Sequence, residues 1–150
     1  MYRGLKAAAE EMGIVVEEAH LGLTGGVSTG GRVAVNADNP LLARTSSLAH
    51  ELAHELLHQR DLSEAADRQT REVEAEAAAY VVCAHFGYEV KAPQYIALWQ
   101  GDGEGIVARL ETIRRAASDI IRQVEKQLSG GEEENQRDTG QVIPGQLLAA

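Results

Sequence analysis

Between positions 50 and 58 the chain reads His-Glu-Leu-Ala-His-Glu-Leu-Leu-His, and this stretch holds the residues best spaced for chemistry. On a helix, about 100° per residue sets His50 and His54 only about 40° apart on one face. Two Nε2 atoms presented from one face can reach a single zinc ion at about 2.0–2.1 Å. Glu51 lies about 60° around from His54, poorly aimed as a ligand but close enough to take a proton from water on the metal. The five letters His50 to His54 fit the pattern H-E-x-x-H. Such short patterns recur by chance, and an amphipathic helix with a polar solvent face reads the same way. A third ligand has to decide between the two.

The stretch Arg71-Glu72-Val73-Glu74-Ala75-Glu76, continuing through Ala77–Ala84 to Gly87, supplies it. This is a second helix, apolar all round from Ala77 to Ala84 and therefore buried on most sides. Glu72 and Glu76 stand at i and i+4 on one sector, while Glu74 points about 160–200° away and reads as solvent-facing. Carboxylates at the mouth of a buried helix need a partner, and a metal or a histidine is a natural one. The alternative is that all three acids decorate an exposed first turn, where they favour the helix dipole. Two histidines, a base and an acid followed by another acid one turn later match the arrangement of glutamate zincins. Glu72 is then the third ligand and Glu76 hydrogen-bonds a ligand histidine, His50, fixing its tautomer. Three protein ligands leave a fourth position open, as catalysis requires.

Other segments position these two helices. Residues 4–12 form a helix stopped by Gly13, and 14–17 a short strand. The glycine-rich segment 22–31 reads as a hairpin or loop; it has no Lys-Ser/Thr ending for a phosphate-binding loop. Residues 32–36 alternate as a strand, and Pro40 opens a helix over 40–59 that turns Leu48, Ala49, Leu52, Ala53, Leu56 and Leu57 toward the core. His50, Glu51, His54, Glu55 and His58 fill its other face. Pro93–Trp99 starts a short helix, in which Tyr95 is a candidate to donate its phenol proton to a developing oxyanion; Tyr80 competes for that role. A final helix covers 104–128, with Ile106, Val107, Leu110, Ile113, Ala117, Ile120, Ile121 and Val124 at helical spacing. His20, His58 and His85 are read as structural.

The stretch SLAHELAHELLH, Ser47 to His58, resembles the zinc helix of ImmA/IrrE-type metallopeptidases and, more closely, the metallopeptidase domain of ArdC-type antirestriction proteins. REVEAEAAAYVVCAHFG at 71–87 and APQYIALWQGDGEGIVARLETIRRAASDII at 92–121 extend the likeness, which covers roughly residues 40–125. The resemblance implies a zincin-like fold in which His50, His54 and Glu72 bind zinc and Glu51 is the catalytic acid/base. ArdC-type proteins carry an N-terminal single-stranded-DNA-binding half, whereas fewer than fifty residues precede this zinc helix.

Composition sets the remaining bounds. The chain has 150 residues, one cysteine and a net charge of −9, with a net −3 in residues 129–150. One domain without disulfides is expected over 1–128, with 129–150 a disordered tail or linker. The acidic balance, with the short N-terminal segment, argues against nucleic acid as a partner. No apolar run approaches a membrane span, and the first residues do not read as a signal peptide, so a cytoplasmic location is expected. The fold class expected is α+β and mostly helical: a zincin-like domain with a small N-terminal sheet or hairpin packed on the His50–His54 helix. The expected function is zinc-dependent hydrolysis of a protein or peptide substrate. Two alternatives remain open. One is a zinc-bearing, non-hydrolytic regulatory or antirestriction module binding a protein or nucleic acid; the other is a metal-free helical domain.

Overall fold

The computed structural model describes residues 1–59, 67–90 and 103–138, with backbone alone at 106 and 131–138. Helix α1 (Tyr2–Glu11) leads into strand β1 (Val15–Ala19), then β2 (Gly26–Ser28) and β3 (Arg32–Asn36). Helix α2 (Leu41–His54) runs into a π-helical turn (Glu55–Gln59); α3 (Arg68–His85) and α4 (Gly103–Asp138) follow. The chain is thus α+β and mostly helical, as its patterning predicts.

Gly13 ends α1 with φ at +75°, a left-handed turn that a residue with a Cβ adopts only under strain. The chain then enters β1, which pairs in parallel with β3, and β2 pairs antiparallel with β3 on the other side. The sheet order is β1-β3-β2, so β2 forms an edge. Within the glycine-rich segment, Thr29-Gly30-Gly31 makes the β2–β3 hairpin turn, with Thr29 N–H donating to the Arg32 carbonyl at 2.9 Å. Buried Asn36 fixes the preceding loop, its side-chain amide donating to the carbonyls of Gly22 and Thr24 at 2.9 Å each.

Behind the sheet, α2 packs on α1 and α3, and α4 lies against both of those helices. Leu5, Val33, Val35, Leu48, Leu52, Val82, Ile120 and Val124 are fully buried where these layers meet. The small side chains Ala75, Ala78, Ala79 and Cys83 line the buried side of α3 and let it approach α2 closely. Asp67 caps α3 by accepting from Thr70 N–H at 2.9 Å.

Several expectations need revision. Helix 40–59 is not uniform: its last turn is π-helical. Val81 on α3, and Val107 and Leu110 on α4, are exposed among the described residues, so the apolar patterns there overstate burial. The last helix continues ten residues past 128, through Ser129-Gly130-Gly131, to Asp138. Tyr95 and the rest of Pro93–Trp99 lie outside the described residues.

Candidate metal centre

Helix α2 presents His50 and His54 one turn apart, and the second turn of α3 swings Glu72 over both. The His50 and His54 Nε2 atoms are 3.0 Å apart. Glu72 places Oε2 3.4 Å from His50 Nε2 and Oε1 3.5 Å from His54 Nε2. Three ligands set tetrahedrally about 2.0–2.1 Å from one zinc stand about 3.3–3.4 Å from each other. The three contacts bracket that spacing, the two to Glu72 being made by different oxygens; one ligand atom from each residue lies within 4.8 Å of the others, and two imidazoles with a carboxylate are a donor set zinc accepts. The residues therefore fit a metal ion, and His50, His54 and Glu72 could hold one. Burial, with His50 alongside, pushes the His54 imidazole down to about 4. A neutral imidazole has the lone pair that a metal needs.

Glu51 is 8 % exposed, not part of an open solvent face. Strand β2 covers it: a Cβ at Gly26 would stand 2.8 Å from Glu51 Cγ, and the Ser28 side chain hydrogen-bonds the carboxylate. Burial raises the Glu51 carboxyl to about 7, opposed by the Ser28 hydrogen bond and reinforced by the charges of Glu72 and Glu55. A carboxyl tuned near neutrality suits proton transfer in both directions.

Two adjoining hollows, of about 400 and 570 Å³, meet at Gly26, His50, Glu51 and Glu72. Ser46, Ser47, Glu76 and Tyr80 line the first, and Val27, Ser28, Arg68 and Arg71 line the second. Glu76 opens onto the first hollow beside His50, but no hydrogen bond joins the two in this structure. Tyr80 borders the same space.

The solvent-facing reading of Glu74 is wrong. Its side chain is 10 % exposed, and Oε2 lies 3.0 Å from His58 Nε2. Helical phase tells which residues share a face, not how many faces are covered. The first turns of α3 pack against both α2 and the π turn, so Glu72 reaches one and Glu74 the other. His58 is likewise tied into the site, with Nδ1 2.9 Å from His54 Nδ1. Glu55, expected on the polar face, is 1 % exposed and accepts from Gly30 N–H at 2.9 Å and Gly31 N–H at 2.6 Å. The signal for His58 was present, since it continues the i, i+4 series; nothing in the sequence pairs Glu55 with the hairpin turn.

Among the described residues, no helix is long and apolar enough to cross a membrane. Over 115 residues the chain is 30% identical to an uncharacterized protein of Bacillus anthracis. The aligned part is 73% of this chain and 20% of that protein, so the chain spans about a fifth of that relative's length. No solved structure matches the chain. The family model for the IrrE N-terminal-like domain, Peptidase M78, matches residues 9–87. That span is more than half the chain and includes His50, Glu51, His54 and Glu72, and the chain belongs to this family.

Proposed function

We propose that the chain is a zinc-dependent peptidase of the glutamate-zincin type, acting on a protein or peptide in the cytoplasm. The observation that carries this reading is the convergence of His50, His54 and Glu72, one ligand atom of each within 4.8 Å of the others, with Glu51 lining the same hollow. At such a site zinc supplies Lewis-acid polarisation of a carbonyl and acidifies water. Glu51 takes a proton from water and delivers it to the leaving amine. Ser28 holds Glu51 in place, and burial keeps its proton affinity near that of its task. The two hollows receive substrate residues on either side of the scissile bond, with the free edge of β2 beside them. Glu76, which lines the first hollow with His50, steadies that ring, and Tyr80 or Tyr95 donates to the developing oxyanion. Kinship with ArdC-type domains belongs to the same proposal, supported by the motifs at 47–58 and 71–87.

The test is Glu51→Gln assayed on a peptide library. Loss of about 10²–10⁴ in turnover with zinc content retained is the expected result. Wild-type cleavage by that variant would remove Glu51 from its role.

A further inference from the structure

We propose that Glu74 and His58 form a hydrogen-bonded chain that fixes the tautomer of His54, leaving its Nε2 lone pair facing His50 and Glu72. The proposal rests on the metal-centre reading. Two short contacts carry it: His58 Nε2 to Glu74 Oε2 at 3.0 Å, and His58 Nδ1 to His54 Nδ1 at 2.9 Å. The three side chains are 13 % (His54), 8 % (His58) and 10 % (Glu74) exposed, so water competes little for either bond.

The direction of the protons follows from chemistry at one end. A carboxylate only accepts, so the proton of the first bond sits on His58 Nε2. A neutral His58 then has its lone pair on Nδ1, and the proton of the second bond sits on His54 Nδ1. His54 Nε2 is left bare, 3.0 Å from His50 Nε2 and 3.5 Å from Glu72 Oε1. Without that chain, His54 would exchange between tautomers, and in one of them a hydrogen would occupy the metal's place.

A purely structural role accounts poorly for the pair. Apolar residues of similar size pack a helix interface at least as well as a buried histidine–carboxylate pair, which gives up hydration. Placed directly behind a ligand histidine, the pair has a use that apolar residues lack: it orients the ring and settles its tautomer. Glu74 and His58 are positioning residues: His58 borders the second hollow, and both act through His54.

Nitrogen-15 NMR of the metal-free wild-type chain reads the tautomer directly. His54 is expected to carry its proton on Nδ1, and a proton on Nε2 would overturn the proposal. His58→Phe keeps a ring but removes the acceptor, whereas His58→Gln retains a carbonyl that can accept from His54 Nδ1–H. In chelator competition, zinc affinity is expected to drop about 10–100-fold in His58→Phe and to recover most of that loss in His58→Gln. Equal zinc affinity in His58→Phe and wild type would also overturn it. Should His58→Phe fail to fold, the wild-type spectrum still decides. Absence of zinc binding by wild type would sink the metal-centre reading instead, and the tautomer, read without metal, separates the two.

Discussion

Gly26 and Glu51 are in closer contact than any side chain at position 26 would permit. A Cβ there would stand 2.8 Å from Glu51 Cγ and 3.2 Å from the Ala34 carbonyl oxygen, with β3's backbone behind it. Strand β2 therefore acts as a wall against which the Glu51 carboxyl is set. Gly26→Ala is expected to push Glu51 out of line, lowering kcat at least tenfold while zinc affinity stays within a few-fold of wild type. The added methyl should also cost about 1–3 kcal/mol of stability. Steady-state kinetics alongside a zinc titration checks both; an unchanged kcat would mean that β2 does not position this carboxyl.

Glu51 also makes a pH signature in the metal-free chain. Its folded-state pKa of about 7 stands above its ordinary 4.5, so between those values the folded chain binds more protons than the unfolded one. Stability from the protonated carboxyl is complete below about pH 4.5 and is lost as pH rises through about 7. Gln at this position does not titrate, so metal-free Glu51→Gln should gain on wild type across that window. The gain should reach about 1–2 kcal/mol, allowing for the cleft's open side. Urea melts of both proteins at pH 4.5, 6 and 7.5 measure it; parallel pH dependence would contradict the burial assigned to Glu51.

Glu55 latches the hairpin turn to the π turn, each carboxylate oxygen accepting one glycine amide. Glu55→Ala strands both amides and empties a buried position, at a cost of about 2–4 kcal/mol. Glu55→Gln can satisfy only one of the amides and should cost less. Hydrogen exchange at Gly30 and Gly31 should accelerate in both variants, the more so in alanine. Unchanged protection at those amides would show that the latch is not what orders the turn.

The grouping of His50, His54 and Glu72 is legible in the sequence because a helix repeats every 3.6 residues, which places the two histidines and, on the next helix, the glutamate on identifiable faces. The strand Arg32–Asn36 is legible through its alternation. Glu74 is misread because phase within α3 is blind to the first turns of that helix packing against two elements at once. Burial of Glu51 and Glu55 is hidden for a similar reason: β2 and the hairpin turn, brought over α2 by tertiary packing, cover what the helix alone presents as a polar face. Gly26 looks like one more flexible residue in a glycine-rich run until its neighbour is known. Its need for a missing side chain is a fact of the fold, not of the local sequence.

In the proposed site His50, His54 and Glu72 hold one zinc ion beside Glu51. Elemental analysis of protein purified without an affinity tag tests it most directly, comparing wild type, Glu51→Gln and Glu72→Ala. About one zinc per chain is expected in the first two and substantial loss in the third, as for a three-ligand site. A wild-type chain without metal, or a Glu72→Ala chain that keeps as much zinc as wild type, would contradict it.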